Sequence, residues 1–217
     1  MRKVYYSLMR NLASFFVMAT VATFAAPLQQ SLRTASLETH EGLTVSARPW
    51  TDAALYKEKF PKKSPFAAGV LAVQVTFKND SEDTLKVSLD RVRLSLRLEE
   101  DNRQELASLT PAQFADAVLK PGGKDPSASR KIPLPVPLPK GGGDKHWAEL
   151  QQQAEQAGFP TSVIGPKSSV QGLLYFDLRG QFDLLNSAHL YIPDVAVMGK
   201  EKTLTYFEID LSRAGAQ

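Results

Sequence analysis

The chain predicts a mainly β fold, an antiparallel β-sandwich of about seven strands with a short helical and Pro/Gly-rich insertion. Three observations predict it. Apolar and polar residues alternate in several stretches, most clearly GVLAVQVTFKND and KSSVQGLLYFDL, and a period of two marks a strand with one buried face. Turn residues such as Asn79-Asp80-Ser81 separate those stretches. Finally, no long helix alternates with the strands, which argues against a doubly wound parallel sheet.

Before the strands comes an export signal. Arg2, Lys3 and Arg10 form a positive start, Asn11 to Phe24 is apolar and uncharged, and Thr23-Phe24-Ala25 offers small residues at a cleavage site. Cleavage is expected after Ala25. The alternative is an uncleaved anchor, since the apolar run approaches the roughly 17 residues that span a bilayer. Residues 26–41 are polar and aperiodic and read as a flexible leader. A single sandwich domain then covers 42–213, with the insertion at 110–160 and a tail at 214–217.

Leu43, Val45 and Ala47 alternate with Thr44, Ser46 and Arg48 as a first strand. A short helix follows, with Thr51 as cap, a staple between Trp50 and Leu55, and Pro61 as its end. Leu71, Val73, Val75 and Phe77 then share one strand face, and Leu85, Val87 and Leu89 another. At Asp90-Arg91 the parity flips, because the next apolar set is Val92, Leu94, Leu96 and Leu98. One face cannot stay inward through such a flip, so a bulge or corner is required there.

Thr110-Pro111-Ala112-Gln113 matches a capping box, and Phe114, Val118 and Leu119 give its helix one apolar face. The loop 120–145 carries six basic against two acidic residues and includes KIPLPVPLPKGGG. Its alternate prolines strip every donor from one edge, so 132–139 is either an edge strand or a polyproline spacer. Asp144 caps a second helix with Trp147, Leu150, Ala154 and Ala157 along one stripe, closed by Gly158 and Pro160. Val170, Gly172, Leu174, Phe176 and Leu178 form one face of a further strand, with Leu173 and Tyr175 on a second face that is also covered. Ser187 to Ile192 and Thr203 to Leu211 are the last strands, the latter with Thr205, Phe207, Ile209 and Leu211 inward.

The long strand running into an Asn-Asp turn in GVLAVQVTFKND, and the polar turn and glycine leading into the aromatic-rich KSSVQGLLYFDL, resemble the immunoglobulin-like β-sandwich of uncharacterised exported bacterial proteins. The resemblance covers Leu43 to Leu98 and Ser168 to Leu211. It implies a fold and carries no catalytic residue. The Cys…Trp…Cys pattern of antibody-type domains is absent.

Charge and cysteine content narrow the function. The formal net charge is +3, but three of the 26 Lys and Arg and none of the 23 Asp and Glu lie in residues 1–25. After cleavage the chain is formally neutral, which removes the main argument for nucleic acid as a partner. With no cysteine there is no disulfide, thiol nucleophile or thiolate metal site. His40, His146 and His189 stand in separate segments without ligand spacing, so no metal or other cofactor is expected. Asp80, Glu82 and Asp83, and Glu99 to Asp101, are acidic runs of the kind turns carry, without the spaced loop of a calcium site. Asn79-Asp80-Ser81 is also a glycosylation sequon.

The function expected is that of a non-catalytic binding or assembly module of the cell envelope, periplasmic or extracellular. Its partner would be another envelope protein or a glycan, and membrane contact would come only through an uncleaved signal. Trp50, Tyr56 and Trp147, on or beside the helices, and Ile132, Leu134, Val136 and Leu138 in the proline tract are the candidate partner-binding residues. The aromatics have a packing alternative, covering the open ends of the sandwich. Competing functions are a glycoside-type hydrolase using loop carboxylates, with Asp177 and Asp183 as a candidate pair, and a periplasmic chaperone that donates a strand.

Overall fold

The structure, a computed structural model, describes residues 36–98, 102–121 and 145–212. Among these residues it is mainly β, with three four-stranded antiparallel sheets and three short α-helices. The first sheet consists, in spatial order, of β1 (Ser36–His40), β2 (Leu43–Pro49), β3 (Val70–Asn79) and β8 (Ser168–Asp177). The second runs β11 (Lys202–Leu204), β10 (Val195–Val197), β4 (Leu85–Val87) and β7 (Val163–Ile164). The third runs β12 (Phe207–Asp210), β9 (Ala188–Ile192), β5 (Arg93–Arg97) and β6 (Arg103–Ala107).

The parity flip expected at Asp90-Arg91 is a 3-10 turn, Leu89–Arg91, through which the chain passes from β4 in the second sheet to β5 in the third. Two further flips sit at the same level. Buried Ile192 is followed by buried Val195, and buried Leu204 by Phe207, each an odd step of three. Three neighbouring strands therefore break along one line, and the second and third sheets form a single creased layer. Arg91 forms an ion pair with Asp194 across the crease, and Ser88 N–H donates to the Asp194 carbonyl at 3.4 Å. The stretch 203–211 is accordingly not one strand. Leu204 points inward and Thr205 is exposed, the reverse of the expected phase before the break.

The creased layer faces the inner side of the first sheet across one core, in which Val45, Val75, Phe176, Leu94, Leu190, Val195 and Phe207 are all buried. A second core lies on the outer side of the first sheet. There α1 (Ala53–Lys59), α2 (Pro111–Leu119) and α3 (Lys145–Ala157) cover one end of β3 and β8, so that Val70 to Val73 and Gly172 to Phe176 are buried on both faces. The expected second covered face of β8 is Leu173 and Tyr175 beneath these helices. The other end of that outer face stays polar, with Thr44, Ser46, Thr76 and Lys78.

Several local expectations are met in detail. The Thr110 hydroxyl accepts from Gln113 N–H at 3.3 Å while the Gln113 side chain accepts from Thr110 N–H at 2.9 Å, a complete capping box. α1 is capped by Asp52, not Thr51; the Asp52 carboxylate accepts from Ala54 N–H at 2.8 Å, which the shorter threonine one residue earlier is not placed to do. Asp144, the cap expected for α3, and the tract 132–139 lie outside the described residues.

Two strands were not expected. β1 falls inside the stretch read as a flexible leader, and it pairs with β2 through the two-residue turn Glu41-Gly42, both at positive φ (45° and 83°). Such a turn matches the twist of a hairpin. Because Leu37 and Thr39 are exposed and Ser36, Glu38 and His40 only half-buried, backbone pairing forms this strand without an apolar alternation to announce it. β6 is exposed at four of its five residues and escapes notice for the same reason.

Gly172 explains how the chain crosses from α3 to the creased layer. A Cβ there would lie 2.7 Å from the Phe159 backbone nitrogen and 2.8 Å from the Gly158 carbonyl carbon. Only glycine lets the segment after α3 run this close to β8. Phe159 then packs on Phe77 at a ring distance of 5.5 Å. Among the described residues no helix is long and apolar enough to cross a membrane.

Candidate functional site

A concavity forms where the helical cap stops partway along the first sheet. It is a groove of about 760 Å³, within the range of small-ligand sites. Its floor is the outer face of three paired strands: Arg48 on β2, Gln74 on β3, and Gln171 with Leu173 on β8. Arg48 stands opposite Gln74 and Gln74 opposite Leu173, while Gln171 lies one row further, opposite Thr76. One wall is α1, through Leu55, Glu58 and Lys59, continued by Trp50. The other is the end of α3, through Glu155, Gln156 and Ala157, continued by Pro160.

The floor glutamines are held by protein donors. Trp50 Nε1–H donates to Gln74 Oε1 at 3.3 Å, and since an indole can only donate, the Gln74 carbonyl must face the tryptophan. Thr76 Oγ1 donates to Gln171 Oε1 at 3.1 Å. The Gln74 amide is thereby fixed with its oxygen engaged and its NH₂ end as the group to offer, while the Gln171 amide is held beside the Thr76 hydroxyl. Arg48 adds a guanidinium, so the floor is rich in donors. The walls supply acceptors. Glu58 pairs with Lys59 at 2.9 Å, and Glu155 accepts from Gln151 Nε2 at 2.9 Å, both at the surface.

The aromatic residues singled out in the sequence occupy the second core. Trp50 is 7% exposed and Tyr56 1%, and their rings meet edge-on at 5.3 Å. Neither forms an exposed binding face, because both fill the space between α1 and the sheet. The Tyr56 hydroxyl accepts from Ala72 N–H at 2.9 Å and donates to the Trp50 carbonyl at 3.0 Å. Trp50 N–H already donates to the Ala72 carbonyl, so the phenol replaces the return bond of a strand pair where β2 leaves β3. Burial pushes the Tyr56 phenol far above its ordinary range, as it does that of Tyr175. Trp147 is half-buried and donates to Asp116 at 3.1 Å, tying α3 to α2.

The three histidines stay apart: His40 is 2.6 Å from Glu38 at the β1 edge, His146 lies at the start of α3, and His189 on β9. Among the described residues no group of three or more His, Asp and Glu side chains is placed to hold a metal ion. In the turn after β3, Asp80, Glu82 and Asp83 point to Lys78, Lys167 and Lys200 at 3.0, 3.0 and 2.7 Å, so each carboxylate meets a different lysine. The sequon asparagine, Asn79, is fully buried. Its amide donates to the Asp83 and Gly165 carbonyls at 2.7 and 2.9 Å and accepts from Ser81 N–H and Oγ–H at 3.0 and 2.7 Å. In the folded chain it organises the turn and presents no nitrogen for modification.

Asp177 and Asp183 do not share a cleft. Asp177 lines a second concavity of about 370 Å³ beside β6, with Arg93, Glu105 and Arg179, and Asp183 is exposed on the 3-10 helix Phe182–Ser187. Pairing register sets Ser95, His189 and Asp210 in one row of the third sheet. The Asp210 carboxylate accepts from Ser212 N–H and Oγ–H at 2.9 and 2.6 Å, and the row lies outside both concavities.

No family model matches the chain, and no curated protein matches it. Among solved structures, a functionally unknown protein from Listeria monocytogenes EGD-e is similar at 13% identity with a TM-score of 0.36, over 80% of this chain and 79% of that one. Likeness at that level carries no argument about fold or function.

Arg48, Gln74, Glu58 and Glu155, among the polar groups of the groove, belong to no motif in the sequence. Arg48 and Gln74 were legible only as the polar partners of alternating strands, and Glu58 and Glu155 only as solvent-facing helix positions. What joins them is the register of β2 on β3 and the place where α3 ends.

Proposed function

We propose that the chain is a non-catalytic binding module of the cell envelope, exported behind residues 1–25 and built on an immunoglobulin-like sandwich, with its ligand seated in the groove between α1 and α3. The observation that carries this is the held amide floor: Trp50 engages the Gln74 oxygen and Thr76 holds the Gln171 amide, an arrangement that sets polar groups in place before any ligand arrives.

Strand order supports the immunoglobulin-like part. Count β4 with β5, β9 with β10 and β11 with β12 as single creased strands, and letter β2, β3, β4–β5, β6, β8, β9–β10 and β11–β12 from A to G. Then A-B-E lie in one layer, with β1 added beside A, and G-F-C in the other, where β7 pairs with the β4 half of C and D with the β5 half. The constant-type sandwich has A-B-E-D against C-F-G, so D has changed layers and β1 and β7 are additions to that order.

Photo-crosslinking tests the site. A benzoylphenylalanine at Gln156, on the groove wall, is expected to capture an envelope component, and one at Ser95, on the third sheet, to capture none. Adducts from Ser95 alone would move the binding surface away from the groove.

The hydrolase alternative gains one observation, the presence of Glu58 and Glu155 on opposite walls of the same groove. A glycosidase flanks the scissile bond with two carboxylates. Turnover of a captured ligand that disappears in both Glu58→Gln and Glu155→Gln would favour it over simple binding.

A further inference from the structure

We infer that the ligand class of the groove is a neutral oligosaccharide, recognised through its hydroxyl groups by Arg48, Gln74 and Gln171. This rests on the groove being the binding site, and it follows from three properties of that site.

The first is charge. Arg48 and Lys59 are matched by Glu58 and Glu155, so the lining has no net formal charge and no single-sign field to attract a polyanion or a polycation. A nucleic acid, an acidic polymer or a basic peptide would each leave two like charges of the lining unmatched.

The second is the backbone. The floor lies on the face of paired strands, and Arg48, Gln74, Thr76, Gln171 and Leu173 all sit within the β2-β3-β8 ladder. Gln74 and Thr76 stand between two partner strands, and β8 is the outermost strand of the sheet. An extended peptide gains affinity by adding main-chain hydrogen bonds to an open edge, and such a peptide would lie along the edge of β8, off the floor. A ligand seated on the floor is met by side chains that rise from the sheet face, which suits one whose own polar groups are hydroxyls.

The third is the mixture of groups. Cross-strand neighbours have Cβ atoms about 5 Å apart, and diagonal ones roughly 7 Å, so the three donors are spread over the length of a linked pair of sugar rings. A hydroxyl can accept from an amide or guanidinium on the floor while donating to a carboxylate on a wall, and both kinds of partner are present. Leu55 and Pro160 add apolar surface on the two walls for the C–H face of a ring, as aliphatic walls do in small-ligand sites.

The test is titration of the isotope-labelled protein with cellotetraose, maltotetraose and chitotetraose in turn, with an oligogalacturonate as the anionic control. At least one neutral sugar is expected to shift the Gln74 and Gln171 side-chain amide signals and the Trp50 indole signal. Gln171→Ala and Gln156→Ala, both at exposed positions, are expected to weaken that binding at least tenfold while leaving the thermal unfolding midpoint unchanged. If no neutral sugar shifts these signals, if the galacturonate alone binds, or if binding survives both substitutions, the inference is overturned. A protein crosslinked at Gln156 with every sugar silent would sink the saccharide and leave the binding module standing.

Discussion

On its inner face the first sheet meets Leu, Val and Ile from the creased layer, with Phe77, Phe176 and Phe207 as the rings among them. On its outer face, under three short helices, Trp50, Tyr56, Phe60, Phe114 and Tyr175 fill the space. Two sheets stack at a nearly constant separation, so branched aliphatic side chains of similar size can interdigitate. Helices crossing a twisted sheet leave gaps of uneven depth, which large rings fill. Rings bring polar tips with them: Tyr56 is bound into the gap between Trp50 and Ala72, and Tyr175 reaches the Ala154 carbonyl at 3.4 Å. The inner core thus depends on volume, and the outer core on volume together with a few hydrogen bonds.

The largest expected effects come from emptying each core. Phe176→Ala and Phe114→Ala, both at fully buried positions, should each lower stability by about 3–5 kcal/mol in urea unfolding. They should differ in what opens. Loss of Phe114 is expected to speed amide exchange at Ala72 and Tyr175, beside the outer core, before Leu94 and Leu190 on the creased layer respond; loss of Phe176 should expose both. Equal exchange in the two variants would mean that the faces fold as one unit.

Tyr56→Phe sharpens the contrast, because it keeps the ring and deletes the hydroxyl. The buried Ala72 N–H then lacks its acceptor, and a loss of about 2 kcal/mol is expected, measured by thermal unfolding. A neutral result would mean that volume alone governs the outer core as well. Smallest is Thr110→Ala, which removes the hydroxyl half of the α2 capping box for about 1 kcal/mol; calorimetry should register it without any change at the inner face.

Much of the fold was legible in the sequence because alternation reports burial. β2, β3 and β8 stand where their apolar residues place them, and the flip at Asp90-Arg91 becomes a real turn. The other two flips were equally visible, as the steps from Ile192 to Val195 and from Leu204 to Phe207, yet short segments on either side hid them. β1 and β6 were silent since their side chains are largely in water and only their backbones pair. The groove was illegible for a different reason. Arg48, Gln74 and Gln171 are far apart in the chain and meet through sheet register, and the wall opposite α1 depends on where α3 ends, near the glycine that lets Phe159 pass.

The line along which three strands of the creased layer break also frees the chain from a constraint. Sheet pairing ordinarily transmits the gain or loss of one residue along the whole strand, turning every side chain to the wrong face. Here the segments 88–92, 193–194 and 205–206 separate the pairing of β4, β10 and β11 from that of β5, β9 and β12. Chain length can drift at those three points while the half-sheets on both sides keep their partners, so this seam is where homologous chains of unequal length would absorb their difference.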